Sequence, residues 1–329
     1  MSAPHVQQSQ PRGSRPVQRD PDLWFFDGNV VLVAQGILAF RVHKGVLAHH
    51  SEVFKSWFTG VAPPPSHGTI ELCEGAQVVR LRVNDTAHDV KQALLVIYGL
   101  RRLPVREASR VTFSVVAGLC RFALAYGMTA LAKVSFDLMD PTFSTDLEER
   151  DTVSDECRLS FDLGDKQAIE AYNVSNLSDD GCIFMAIYLC AQLPLEVLRA
   201  GTRRVDGTPE MLSEPDLQII LKAKAQLKKL SAKVLAECYE TSSSHGYECH
   251  ETGCEDAFYD VMFPRGPGAQ RLADGDVASR WVLDCIDDLR DDERICERCA
   301  RYARERHECL RGTVWEEYME NVEIPEQWR

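Results

Sequence analysis

The sequence predicts an α+β protein: a β-hairpin and a third strand packed on a helical cluster, then a mainly α-helical region. Three observations predict it. Two apolar runs, Val30 to Ala34 and Ile37 to Val42, flank Gln35-Gly36. A Gly between such runs signals a hairpin, because it reaches positive φ at no steric cost. The period then changes, with Val46, Leu47, Val53, Phe54, Trp57 and Phe58 at helical spacing. Beyond residue 165 the apolar segments have helical spacing too.

Each element has its own signals. Ser51 stands where a helix N-cap belongs, with a hydroxyl that accepts a free backbone N–H. After a Pro-rich loop, Val78 to Val83 alternates as a third strand. Asp85 is placed to cap a helix carrying Val90, Leu94 and Ile97, which closes at Tyr98-Gly99. The stretch from Ser109 to Tyr126 is apolar nearly all round, so it reads as a buried helix ending at Gly127. Leu131, Val134, Phe136 and Leu138 make a shorter one. Pro141 and an acidic run set the expected domain boundary.

The second half reads as all-helical. Segments 166–177 and 182–193 are candidate helices, and Pro194 breaks the latter. A long helix begins at Ser213, with Pro215 in its first turn and Leu217, Ile220, Leu221, Leu227, Leu230 and Val234 on its apolar side. Segments 277–289 and 295–322 close the chain as helices. The expected organisation is a disordered tail over 1–20, an α/β domain over 21–140, an acidic linker over 141–165 and a helical domain over 166–329.

Composition narrows the function classes. A net charge of −13 argues against a nucleic-acid surface spread over the molecule. Between Asp140 and Asp180, 12 acidic residues face 3 basic ones, which reads as a solvated stretch. No apolar run reaches the ~20 residues that span a bilayer, and the first 20 residues lack the apolar core of a secretory signal. The expected setting is intracellular, cytoplasm or nucleus. There the 12 cysteines stay reduced or bind metal.

Phe40, Val42, His43, Lys44, Leu47, Ser51 and Phe54, following a hairpin, match an F-x-V-H-[KR]-x-x-L stretch and then S-x-x-F. This resembles the opening of a BTB/POZ domain. The resemblance implies a BTB/POZ fold over 21–140, a protein-binding role and no catalysis. It also makes His43 part of a structural signature. Many such domains carry an Asp before the first strand and a Lys or Arg after the His. Lys44 matches the second, while Asn29 holds the first position. The charge pair of a corepressor groove is therefore missing. Near the end of the chain, Ile295-Cys296-Glu297-Arg298-Cys299, Trp315-Glu316-Glu317-Tyr318 and Ile324-Pro325-Glu326-Gln327-Trp328 are similar to the closing segment of fungal BTB proteins.

Metal is the sharpest chemical question. Cys249 and Cys254 are spaced C-x4-C, and Cys296 and Cys299 are spaced C-x2-C. Each pair of thiolates spans one edge of a tetrahedron, and two pairs complete a zinc site. The 41 residues between the pairs demand tertiary closure. His245, His250 and His307 are spare ligands. The alternative is that the thiols are small packing residues. A thioredoxin-like role for Cys296 and Cys299 has less support, since the pair lies in a polar helical stretch rather than in a βα turn.

Other chemistry is thinner. Arg294, Arg298, Arg301, Arg304, Arg306 and Arg311 form a basic stripe, but Glu297, Glu305 and Glu308 are interleaved at spacings that allow intrahelical pairs. His250-Glu251 opens like a zinc-protease motif without its second His. No G-x-S-x-G or phosphate-cradling loop is present, so the chain is expected not to be an enzyme. Trp57 and Phe58 are candidate partner contacts, by self-association or docking. The resemblance adds Leu72-Cys73-Glu74 as a candidate cullin contact, which implies a substrate adaptor of a cullin-RING ubiquitin ligase. A zinc-stabilised nucleic-acid regulator, using the Cys pairs and the Arg stripe, is the reading from a different class.

Overall fold

The computed structural model describes residues 17–65, 71–103, 111–155, 163–178, 181–238, 249, 253–262, 275–278 and 280–326. It is a mixed α+β chain whose five-stranded sheet is N-terminal and whose later part is mostly helical. Two units divide it: Met1–Leu103 with Gly118–Val134, and Pro104–Ala117 with Ser135–Arg329. These limits differ from a single boundary near Pro141.

In the first unit the strands are β1 (Gln18–Trp24), β2 (Val30–Ala34), β3 (Leu38–Val42), β4 (Leu72–Cys73) and β5 (Ala76–Arg80), in the order β1-β3-β2-β5-β4. The expected hairpin forms, pairing Val30 with Val42 and Ala34 with Leu38. Its three-residue loop, 35–37, holds Gln35 at φ 50° and Gly36 at φ 65°, and the Ile37 N–H donates to the Ala34 carbonyl at 3.0 Å. All of β2 is buried, as a central strand covered on both faces should be. Val31 and Val33 cluster with Ala39 and Ala76, and Trp24, Cys73 and Val78 pack over them.

Two strands were not expected. β1 begins at Gln18, inside the segment read as a tail, and runs parallel to β3 with an irregularity before Trp24. Its charges and Pro21 hide it, because an edge strand tolerates both. β4 makes a second hairpin with β5 through Glu74 and Gly75, at φ 50° and 81°. The third strand expected at 78–83 is β5, shifted to Ala76–Arg80.

The helices that follow are α1 (Lys44–His50), α2 (Glu52–Phe58) and α3 (Ala87–Ile97) in the first unit, and α4 (Phe113–Ala125) and α5 (Thr129–Phe143), each of which is divided between the units, at Gly118 and Ser135. Ser51 caps α2 as expected: its Oγ accepts the Phe54 N–H at 3.0 Å and donates to the Tyr126 carbonyl at 2.5 Å. Asp85 does not cap α3. Thr86 does, accepting the Asp89 N–H at 3.1 Å. Asp85 instead accepts the Arg82 N–H at 2.8 Å and the Tyr126 hydroxyl. Gly99 and Gly127 close α3 and α4 at φ 68° and 62°. α5 runs through Pro141 to Phe143. Pro141, read from the sequence as marking the domain boundary, therefore lies inside a helix.

The second unit continues with α6 (Leu147–Asp155), inside the stretch expected to be linker. It then has a 3₁₀ turn (Asp165–Gln167), α7 (Ala168–Ser175), α8 (Ile183–Gln192), α9 (Leu195–Ala200) and α10 (Glu214–Cys238). α11 (Cys254–Met262), α12 (Trp281–Asp291) and α13 (Glu297–Asn321) follow. The all-helical expectation misses a short hairpin, β6 (Thr202–Arg203) with β7 (Pro209–Glu210). α10 and α13 are antiparallel neighbours: Lys222 bonds Glu323 at 2.8 Å, Lys233 bonds Glu317 at 3.0 Å, and Arg306 bonds Glu237 at 3.0 Å. Tyr188, Trp315 and Tyr318 meet with ring centroids 5.2 to 5.9 Å apart, and Trp315 donates to the Thr145 carbonyl at 2.7 Å. The Trp315–Tyr318 motif is thus core. Gln327 and Trp328 lie outside the described residues.

Candidate metal centre

Folding closes the 41-residue gap. The sulfurs of Cys249, Cys254, Cys296 and Cys299 all lie within 4.8 Å of one another. The Cys249–Cys296 sulfur separation is 3.9 Å. Tetrahedral thiolates at about 2.3 Å from zinc lie about 3.8 Å apart along each edge, so the set is close to a zinc-sized cage. None of the four is in a disulfide. Cys254 and Cys299 are buried, while Cys249 and Cys296 are half-buried.

Two helix starts build the site. Cys254 is the first residue of α11, behind Gly253. Cys296 is the N-cap residue of α13 and Cys299 lies in its first turn. The C-x2-C pair, read from the sequence as part of a polar helical stretch, thus sits at the N-terminus of that helix. Unpaired N–H groups and the helix dipole both favour thiolate there. The Cys296 N–H donates to the Cys254 sulfur at 3.3 Å, a contact that spacing cannot show.

The thiols influence one another. Burial raises Cys296, but the Cys299 N–H and the neighbouring thiols donate to its sulfur and hold it below the usual thiol range. Cys254 is pushed up to about 11, first by burial and then by its bonds to Cys249 and Cys296. Cys299 is pushed up for the same reasons. A cluster of thiols in a half-buried site favours one thiolate and disfavours the next. A bound dication reverses this by attracting all four thiolates and offsetting two of their four charges, and loading it releases the remaining protons.

Of the spare ligands, His307 does not join. His307 is buried on α13, about 12 Å along the helix axis from Cys299 at ~1.5 Å per residue. His245 and His250 lie outside the described residues. The Arg stripe also differs from expectation. Arg294 bonds Asp260 at 2.7 Å, Arg304 pairs with Asp287, Arg306 bonds Glu237, and Arg311 grips Asp151 at 2.6 and 2.8 Å. These partners sit on other elements rather than within the helix, because packing brings acidic residues from elsewhere to the same surface.

In the first unit the signature residues are mostly interior. Phe40, Val42, Leu47 and Phe54 are fully buried and Ser51 is nearly so. His43 is half-buried, with Nε2 3.1 Å from Asp27, Nδ1 3.1 Å from the Tyr98 hydroxyl, and its N–H donating to that hydroxyl at 2.9 Å. Asn29 accepts the Lys44 N–H at 2.8 Å, and Lys44 Nζ reaches Gln77 at 2.8 Å. Trp57 and Phe58 are half-buried against Phe54, with centroids 5.1 and 5.9 Å away. Leu72 is 64% exposed, and Glu74 is tied to Arg19 and Arg41.

No protein-family model and no curated protein matches this chain. Among the described residues, no helix is long and apolar enough to cross a membrane.

Proposed function

We propose that this chain is a non-enzymatic, intracellular protein-interaction protein. It joins an N-terminal BTB/POZ domain to a helical unit held by a structural zinc ion. The observation that carries it is the convergence of four sulfurs from two distant sequence pairs. An all-thiolate, closed tetrahedral set suits structural zinc, which contributes folding energy and leaves no open position for a substrate. Zinc would tie Cys249 and the start of α11 to the start of α13. Interaction is supported by the family resemblance. It is also supported by the half-buried Trp57 and Phe58 and the exposed Leu72 on the first unit. Partner docking or self-association there is the principal reading, and adapting a substrate to a cullin is the narrower form. A nucleic-acid role is the weaker alternative, because four arginines of the stripe already face acidic residues.

The test is metal content and binding on the purified full chain. One zinc per chain is expected by native mass spectrometry. A chelator should loosen the helical unit and leave the sheet-containing unit's hydrogen exchange unchanged. A metal-free chain whose exchange ignores added zinc refutes the metal part. Association measured by sedimentation, and a pulldown with a cullin, decide the partner part. A monomer that captures no protein, yet binds nucleic acid in a salt-dependent way, overturns it in favour of the regulator reading.

A further inference from the structure

The four ligands are not equivalent, and the difference suggests how the site is regulated. Cys254 and Cys299 are 5% and 4% exposed, whereas Cys249 and Cys296 are open to solvent in part. These two half-buried cysteines belong to different sequence pairs, yet their sulfurs lie 3.9 Å apart. A disulfide needs about 2.05 Å, so closure requires ~2 Å of approach between half-exposed groups. The Cys254 sulfur already accepts the Cys296 N–H, which blunts it as a nucleophile.

We propose that the centre is an oxidation-sensitive metal site, in which a hydroperoxide joins Cys249 to Cys296 and expels the ion. This rests on the zinc reading above. The Cys296 thiolate attacks one peroxide oxygen. An S–O bond forms, the O–O bond breaks, and the departing hydroxide is protonated to water. The Cys249 thiolate then attacks the Cys296 sulfur. The S–S bond forms, the S–O bond breaks, and a second hydroxide leaves as water. Two sulfurs lose two electrons in total, and one hydrogen peroxide becomes two waters on taking up two protons. Only two thiolates, Cys254 and Cys299, then remain on the metal, half of a zinc set. A dithiol reductant reverses the change by exchange.

Both halves are measured on the zinc-loaded full chain. Hydrogen peroxide is added at one to five equivalents, zinc release is followed with a coloured chelator, and disulfides are mapped by mass spectrometry. The expected result is one zinc released per disulfide, a Cys249–Cys296 crosslink, and recovery after dithiothreitol with added zinc. The variant Cys249→His keeps a possible metal ligand but cannot form that bond. Its zinc release should be at least ten-fold slower. If Cys249→His holds no zinc, the disulfide map of the parent chain decides alone. Zinc retained without a disulfide overturns the oxidation proposal and leaves the zinc reading standing. A crosslink between Cys254 and Cys299, or within either sequence pair, also overturns it. A chain purified without zinc, and unable to take it up after reduction, overturns both.

Discussion

Truncating Phe54 to alanine tests the packing of the first unit most directly. The ring is fully buried and meets four aromatic neighbours. Tyr126 stacks on it at 4.6 Å, Trp57 meets it edge-on at 5.1 Å, Phe58 lies at 5.9 Å and Phe122 at 6.3 Å. Two of these neighbours lie on α2, Phe122 lies on α4 and Tyr126 directly follows it, so the cavity left by alanine is lined from two sides. α2 is also pinned by the Ser51 contacts to Phe54 N–H and the Tyr126 carbonyl, which limits collapse. The expected cost is about 3–5 kcal/mol, the range for a buried Phe reduced to Ala. With a urea m-value of ~2 kcal/mol/M, the midpoint should fall by about 2 M. The assay is urea unfolding of the full chain, followed by far-ultraviolet circular dichroism and by hydrogen exchange of β2 and α2. Val61→Ala is the control. Val61 is 82% exposed, so a change within about 0.5 kcal/mol is expected. A loss below about 1 kcal/mol for Phe54→Ala, with unchanged m-value, refutes the assignment of this face to the core.

Three further outcomes are expected. Gly118→Ala should destabilise by about 1–3 kcal/mol, because a Cβ would sit 2.7 Å from Asp89 Oδ1, and Asp89 is held by Arg121 at 2.8 and 2.9 Å; Gly118→Ala together with Asp89→Ala should recover the steric part, as a double-mutant cycle would show. Burial, then Arg311 and Arg280, lower His307 to about 4 against a smaller opposing pull from Asp151. The unfolded chain therefore binds more protons, so stability is full above about pH 6.5 and falls as pH drops toward 4, by about 2 kcal/mol at pH 5; a His307→Gln variant with the same pH slope between 7 and 5 would contradict this. Cys296→Ser should abolish stoichiometric zinc and loosen α11 and the start of α13, while wild-type zinc affinity should weaken as pH falls, because raised thiols at Cys254 and Cys299 must lose protons to bind; pH-independent affinity in a competition titration would argue against thiolate ligation.

The sequence alone determined what short-range chemistry sets. Gln35-Gly36 specified the hairpin turn, Ser51 the cap of α2, and Gly99 and Gly127 the ends of α3 and α4, since each acts through backbone within a few residues. It also singled out the four cysteines, because C-x4-C and C-x2-C are local patterns. Tertiary structure decided the rest. β1 is a strand because β3 offers it a parallel edge, not because its own residues alternate. The choice of Thr86 over Asp85 as cap depends on Tyr126, 41 residues away, drawing Asp85 into its own hydrogen bond. The arginines found acidic partners on other elements, which intrahelical spacing could not foresee. Whether two cysteine pairs meet depends on how α11 and α13 bring their starts together across 41 residues, and no local rule fixes such a closure. Only the fold also reveals that Cys249 and Cys296 are half-buried while Cys254 and Cys299 are buried, because exposure depends on everything packed around a residue.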